Sequence, residues 1–452
     1  MIRGMGINFS LTPEQLQLQK KAREFALNEI LPVVNYFDEE DEMPVFLLKR
    51  AHELKLNNLN IPKEYGGLGY GLIESAVVVE EIAAACPGMG TSIYGNSLGQ
   101  EPVILSSNEK AKKKYLPIMV KEPKIISFAT SEPMMGSDVA GIRCKATKDG
   151  SDYILNGTKY WVTNGGHADY CTVFANEDPK SRHKGICGFV VDMKAKGVSV
   201  GDHIPKAGQR TSNTVAVKLD NVRIPAEDVL AEPVEGFKLA MKTFSRTRPI
   251  IGAFATGAAR SAMEFAKEYA NKRRAFDQKL ADFQSIQFKL AEMYQKVETS
   301  RLLTWKAAWE ADNEMDPTIT ASMAKFYATE SAFEVANQAL QICGGYGYTK
   351  LFPLEKLFRD IRVLMIYEGT SEVQRIVVSR YVLNQYQSVM PPLEDLPRLR
   401  AEDVKQAARE GIQSQTVWRC RICGYTYVGE EPPDECPYCR FPKTAFKKVY
   451  PK

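Results

Sequence analysis

The sequence predicts an α+β multidomain chain with four parts: an N-terminal helical domain, a central β-barrel-like domain, a C-terminal helical bundle and a small metal-binding module. Three observations carry this expectation. Helix signals fill residues 12–125 and return from about 233 to 386, while short β-type runs crowd the interval between them. Four of the nine cysteines fall in the last 33 positions, as two Cys-x-x-Cys pairs. A chain of 452 residues, 44% hydrophobic and 25% charged, can bury several cores and should divide. The expected domains are 7–125, 126–232 and 233–385, then a linker over 386–416 and the module at 417–452.

In the first part, Thr12-Pro13-Glu14-Gln15 offers an N-cap, a proline at the first helical position and a capping-box glutamine. Phe25, Ala26, Glu29 and Ile30 predict a partly buried face. Residues 63–71 form a glycine-rich break that is not a phosphate loop, because no Gly-Lys-Ser/Thr follows. Helices are expected over 74–85 and 88–100.

The middle part opens near Ser127. Asn156-Gly157 lies between Tyr153-Ile154-Leu155 and Lys159-Tyr160-Trp161-Val162, which predicts a hairpin turn there. Residues 171–174, 188–191 and 214–217 read as further strands. No Gly-x-Gly-x-x-Gly joins a strand to a helix, which argues against a Rossmann nucleotide site.

In the third part, Ile286, Leu290, Met293 and Val297 recur at intervals of four, three and four, one buried helical face. The string at 341–348, Gln-Ile-Cys-Gly-Gly-Tyr-Gly-Tyr, lets backbone approach something closely. Residues 366–375 read Ile-Tyr-Glu-Gly-Thr-Ser-Glu-Val-Gln-Arg. They place one carboxylate, Glu368, before Gly369 and ahead of a helix expected over 373–383, with Thr370 or Ser371 to cap it.

A net charge of +4 is too small to predict a nucleic-acid partner or an anionic membrane surface. No apolar run is long enough to predict a membrane span. The first six residues lack the apolar core of a signal peptide, and the cysteines do not form a secreted disulfide pattern, so a cytoplasmic location is expected.

From about residue 7 to 383 the chain resembles the acyl-CoA dehydrogenases, nearest to their medium-chain and short-chain branch. The likeness rests on several motifs in order: Phe128-Ala129-Thr130-Ser131-Glu132-Pro133, Gly136-Ser137-Asp138, Trp161-Val162-Thr163-Asn164-Gly165, Arg273-Arg274-Ala275-Phe276, residues 341–348 and residues 366–375. The resemblance implies FAD as cofactor and an acyl-CoA substrate. It assigns Phe128, Ser131, Trp161 and Thr163 to the isoalloxazine, and Arg273 to the pyrophosphate. Phe276, Gln284, Gln341, Gly344 and Gly345 would hold the flavin from a neighbouring subunit, with Thr370 and Glu372 completing the site. Ser137, Arg248, Gly369 and Arg380 would face the CoA ester.

Glu368 would be the base that removes the α-proton while the flavin takes the β-hydride, leaving a trans-2-enoyl-CoA. Some relatives carry the base on an earlier helix. Here that segment reads Phe244-Ser245-Arg246-Thr247-Arg248 and contains no carboxylate, so Glu368 has no rival. By the same likeness the helix over 88–100 would line the deep end of the acyl pocket, and bulky Tyr94 would restrict it to short or medium chains. The resemblance also implies a homotetramer and an external electron carrier, such as electron-transfer flavoprotein or another redox protein. Two departures stand out: Met134-Met135 where the family has Gly-Ala, and Asp277 where it has glycine.

In the tail, Cys420, Cys423, Cys436 and Cys439 form two knuckles twelve residues apart, a tetrahedral four-thiolate site. The surrounding residues resemble the rubredoxin-like domain of rubrerythrins, which implies iron; a zinc ribbon is the alternative. Arg440 stands where that family has glycine. Two functions follow as expectations: a dehydrogenase with an attached one-electron relay, or an inactive dehydrogenase-like scaffold carrying a zinc ribbon for a partner.

Overall fold

A computed structural model describes residues 9–387 and 417–449. The expected linker and a short helical run over 401–410 fall almost wholly outside the described residues. By compactness the chain divides into two units, Met1–Gln385 and Tyr386–Lys452.

The N-terminal helices are α1 (Pro13–Phe25), continued by a π-helical turn (Ala26–Ile30), then α2 (Val34–Glu39), α3 (Val45–Glu53), α4 (Leu72–Ala85), α5 (Pro87–Leu105) and α6 (Glu109–Lys121). The capping box forms as expected: Gln15 N–H donates to the Thr12 hydroxyl at 3.2 Å, and Thr12 N–H donates to the Gln15 amide oxygen at 2.9 Å. Helix α4 is apolar almost all round and is correspondingly buried. Val78 and Ile82 join Phe25, Ala26 and Ile30 in one core, while Ala76 and Val79 join a second.

The middle strands are β1 (Ile126–Ala129), β2 (Lys145–Asp149), β3 (Asp152–Thr163), β4 (Tyr170–Asn176), β5 (Ile186–Asp192), β6 (Val198–Val200), β7 (Thr214–Ile224) and β8 (Val229–Ala231). They pair in the order β6-β7-β3-β2-β4-β5-β8, with β1 parallel to β4. Among the described residues this is an open path rather than a closed ring.

The hairpin expected at Asn156-Gly157 does not exist. Both residues lie inside β3, and the turn comes earlier, between β2 and β3, where Gly150 takes φ +64°. Asn-Gly instead marks a β-bulge, since the β3–β7 register shifts between Leu155 and Gly157. The Asn156 side chain accepts from the Asn221 N–H at 2.8 Å, and a Cβ on Gly157 would sit 2.8 Å from the Cys144 Cα. Tertiary packing has used the glycine for close approach rather than for chain reversal.

The third part comprises α7 (Glu235–Lys272), the small hairpin β9 (Arg274–Ala275) and β10 (Gln278–Lys279), and helices α8 (Gln284–Asp312), α9 (Thr318–Cys343), α10 (Gly345–Tyr348), α11 (Leu354–Arg362) and α12 (Ser371–Asn384). The stripe on α8 faces inward: Met293 and Val297 are buried, and Ile286 and Leu290 pack on the same core. Alanines line both sides of the α7–α9 contact, among them Ala255, Ala258 and Ala262 facing a core shared with Ala328, Ala332 and Ala339. Such small side chains let two long helices run close together.

The second unit has a three-stranded antiparallel sheet, β12-β11-β13, from β11 (Val417–Cys420), β12 (Thr426–Val428) and β13 (Phe446–Val449). Among the described residues its hydrophobic core is Cys420, Cys436 and Phe446, with Trp418, Tyr425 and Tyr427 packed around them. A core this small needs a staple, and four cysteines supply one. No helix among the described residues is long and apolar enough to cross a membrane.

Candidate functional site

Glu368 sits in a two-residue turn between α11 and α12. Its φ is 56° and that of Gly369 is 89°, both left-handed. A glutamate held there is strained, and strain of this kind persists only where the surroundings enforce it. Three buried donors do so. Arg248 Nε on α7 donates to the Glu368 carbonyl at 3.3 Å. Gln374 Nε2 on α12 donates to the Gly369 carbonyl at 2.9 Å and the Glu368 carbonyl at 3.4 Å. Lys325 Nζ on α9 donates to the Gly369 carbonyl at 2.9 Å. The Gly369 φ of 89° is one that L side chains rarely adopt, and a Cβ there would lie 2.4 Å from Gln374 Nε2, so the position favours glycine. Thr370 then caps α12 by accepting from Val373 N–H at 3.3 Å.

The Glu368 carboxylate accepts a hydrogen bond from the Thr247 hydroxyl at 3.0 Å. Burial pushes its pKa up to about 7, against the opposing pull of Thr247, Arg248 and Lys325. A carboxylate poised near neutrality suits a general base. Among the described residues no acceptor takes the Glu368 N–H, which could meet a developing negative charge on a ligand.

Arg248 is 7% exposed, with its guanidinium 5.8 Å from the Phe244 ring. It braces the turn from inside the fold instead of reaching into solvent. Tyr94 on α5 is also buried, edge-on to Phe254 at 5.9 Å, and its hydroxyl feels the charges of Glu101 and Glu368. Behind it Glu101 is paired with Arg246.

A second group forms around β1 and β3. Tyr160 N–H donates to the Ser131 carbonyl at 2.9 Å and the Ser127 hydroxyl to the Thr163 carbonyl at 2.8 Å, which brings Ser131, just past β1, beside β3 and the end of β3 beside β1. Trp161 has φ 63°, and its indole is 57% exposed. The Phe128 ring contacts Phe244 at 5.5 Å and so ties this group to the helix that carries Thr247 and Arg248. An exposed indole flanked by hydroxyl-bearing residues fits a planar ring system with polar edges, as FAD presents. Met134 projects into solvent, while Met135 packs inward beside Phe128 and its neighbours.

The remaining expected flavin contacts stand apart from Glu368 within one chain. Gln341 lies sixteen residues beyond Lys325 on α9, about 24 Å along the helix. Arg273, Gly344 and Gly345 line a groove of about 460 Å³ with Tyr269 and Tyr346. Nothing lies within 4 Å of a Cβ built on either glycine. Phe276 is 89% exposed, and Gln284 and Gln341 are exposed as well. Phe276 and Asp277, at φ 52° and 62°, make the two-residue turn of the β9–β10 hairpin. Asp277 thus keeps the left-handed backbone of the glycine it replaces, with Arg274 Nη2 donating to its carbonyl at 2.6 Å. Ser137, Glu372 and Arg380 are exposed, and Thr370 is half-buried.

Sequence reasoning missed Thr247, Lys325 and Gln374. Lys325 had a visible signal: it occupies the alanine stripe of Ala321, Ala328, Ala332 and Ala339 at helical spacing, where a lysine must have a reason.

In the second unit all four cysteine sulfurs lie within 4.8 Å of one another, with Cys420–Cys439 at 3.6 Å and Cys423–Cys436 at 3.7 Å. Metal–sulfur bonds of about 2.3 Å in a tetrahedron require sulfurs about 3.8 Å apart, so the cage fits iron or zinc. The Cys423 N–H and then the Ile422 N–H point at the Cys420 sulfur and pull its pKa down to about 7. The two knuckles match: Gly424 at φ 79° donates its N–H to the Cys420 carbonyl, and Arg440 at φ 61° donates to the Cys436 carbonyl. A left-handed arginine is strained where glycine is not. Arg440→Gly is therefore expected to stabilise the unit by up to about 1 kcal/mol, read as a higher melting temperature of the metal–thiolate absorbance.

Comparison with known proteins places four family models on the chain. The N-terminal, middle and C-terminal domains of acyl-CoA dehydrogenase match residues 12–123, 127–222 and 234–383, and the rubredoxin-like domain of rubrerythrin matches 418–447. A probable medium-chain specific acyl-CoA dehydrogenase of Caenorhabditis briggsae is 37% identical over 380 residues, 83% of this chain and 92% of that protein. The short-chain specific enzyme of Mus musculus is 38% identical over 378 residues, with the same coverage. The butyryl-CoA dehydrogenase of Megasphaera elsdenii superposes with a TM-score of 0.81 at 34% identity, covering 83% of this chain and all of that one.

Proposed function

Because the chain belongs to the acyl-CoA dehydrogenase family, we propose that it oxidises a short- to medium-chain acyl-CoA to the trans-2-enoyl-CoA, with Glu368 as base. It is a flavin oxidoreductase with a rubredoxin-like four-cysteine domain. The observation that carries this reading is the buried Glu368 carboxylate, brought near neutrality in a strained turn that three donors hold.

On this reading the substrate thioester lies against the turn, and the Glu368 N–H meets the charge that develops on its carbonyl oxygen. Thr247 fixes the carboxylate, and the α-proton passes to a Glu368 oxygen. FAD, when bound, supplies the two-electron acceptor for the β-hydrogen. Phe128, Ser131, Trp161, Thr163, Thr370 and Glu372 are assigned to its ring end. Arg273, Phe276, Gln284, Gln341, Gly344 and Gly345 are assigned to its adenosine end in a neighbouring subunit. The roughly 24 Å along α9 from Lys325, which bonds the Gly369 carbonyl, to Gln341 supports a site completed by a second copy, as in a homotetramer. Ser137, Arg248, Gly369 and Arg380 are assigned to the CoA ester. The domains are taken as 7–125, 126–232 and 233–385, with 386–416 as tether and 417–452 as electron module. The acceptor beyond them is an external redox protein such as electron-transfer flavoprotein. A cytoplasmic location suits nine cysteines of which none is in a disulfide.

Tyr94 and Phe254 closing the acyl pocket favour chains no longer than about eight carbons, because overpacking penalises each added methylene. A panel of saturated acyl-CoA esters tests the proposal, with anaerobic flavin bleaching as readout. Tyr94→Ala should move the preference to longer chains. A parent optimum well beyond eight carbons, or on a dicarboxylate, would overturn the pocket assignment, and no bleaching with any ester would overturn the function.

A further inference from the structure

Lys325 is one of the three donors that hold the Glu368–Gly369 turn, and the mechanism above makes no use of its charge. Its side chain is fully buried, and its buried neighbours along α9 from Thr320 to Ala332 are alanine, serine and threonine. Placing an ammonium there costs solvation that one neutral hydrogen bond does not return. Among the described residues its side chain bonds only the Gly369 carbonyl, at 2.9 Å, and Gln374 already donates to that oxygen at 2.9 Å. A second donor on a carbonyl that is already satisfied is not needed for folding alone. The charge is what Gln374 does not bring.

We propose that Lys325 is a positioning residue: it clamps the Glu368–Gly369 turn in its left-handed conformation and, through its positive charge, favours the ionised form of the Glu368 carboxylate. The inference rests on Glu368 being the base. The charged groups facing Lys325 are Glu368 in the turn, Arg248 on α7, Glu372 on α12 and Glu330 on α9 itself. Of these, Glu368 contributes most after burial, which brings Lys325 down to about 7. Reciprocally, Lys325 and Arg248 both lower the Glu368 pKa. The two cations differ in what they hold, since Arg248 bonds the Glu368 carbonyl and Lys325 the next one.

The test is the pH dependence of anaerobic flavin bleaching at low acyl-CoA, whose second-order rate reports ionisations of the free enzyme. It is run on the FAD-loaded full chain. Lys325→Met removes both bond and charge, whereas Lys325→Gln keeps a donor and removes the charge. Both should move the acid limb up by roughly one pH unit, with the methionine variant also slower on the plateau. Gln374→Leu removes an uncharged donor from the same carbonyls and should slow bleaching without moving the limb. A parent that bleaches, with Lys325 variants that keep the parent's acid limb, would sink the inference while leaving the function intact. So would a Gln374→Leu limb displaced as far as that of the lysine variants, a result that stands even if Lys325→Met fails to fold. A parent that does not bleach condemns the functional reading instead.

Discussion

Replacing Glu368 by glutamine should leave a folded, yellow protein that no longer bleaches with acyl-CoA, with the rate down on the order of 10³–10⁴-fold. The amide has nearly the shape of the carboxylate and keeps an oxygen to accept from Thr247, but it cannot take the α-proton. Stability should not suffer. Burial raises the Glu368 pKa from 4.5 to about 7, so the folded state binds more protons than the unfolded one between those values. The carboxylate therefore destabilises the fold as pH rises through that window, and the cost is fully present above about 7. Above pH 7 the glutamine variant should melt no lower than the parent. In the parent, bleaching should rise with pH through about 7 and then level, since only the ionised base accepts a proton. Wild-type bleaching by the variant would mean that another group is the base.

Much of this was legible before any coordinates. The capping box at Thr12 and Gln15, the α8 stripe and the cysteine spacing are local signals, each fixed by hydrogen bonding or periodicity within a few residues. Asn156-Gly157 misled because a turn and a bulge ask the same freedom of glycine. The choice between them was made by Cys144, just before β2, and by Asn221 on β7, both outside the local pattern. The site divides in the same way. Glu368 and Gly369 announce themselves by motif, but what makes the carboxylate a base is its environment. Thr247, Arg248, Lys325 and Gln374 come from three helices, and no local pattern says that they converge on one turn. Asp277 and Arg440, which look like damage to the motifs, both take a left-handed backbone, the conformation glycine adopts most readily.

The second large effect concerns the tail. On adding a good acyl-CoA under anaerobic conditions, the ferric-thiolate band should fade together with the flavin band. Dehydrogenation releases two electrons, and one four-thiolate iron takes one. The other must leave to an external one-electron carrier or to the oxidised iron of a second copy of the chain. Proximity comes from the chain itself, because the module is covalently joined to the dehydrogenase unit through residues 386–416, most of which lie outside the described residues. A tethered acceptor is present at an effective concentration that diffusion from dilute solution does not match. Truncation after Gln385 should abolish the iron band and leave substrate-driven flavin bleaching intact, since Glu368 and its supporting donors all lie within the first unit. Cys436→Ser should have the same spectral effect in the full chain, because Cys436 is both a ligand and part of the small buried core. A colourless zinc-loaded tail, or iron that stays oxidised while the flavin is reduced, would end the relay reading and leave a dehydrogenase with a structural metal domain.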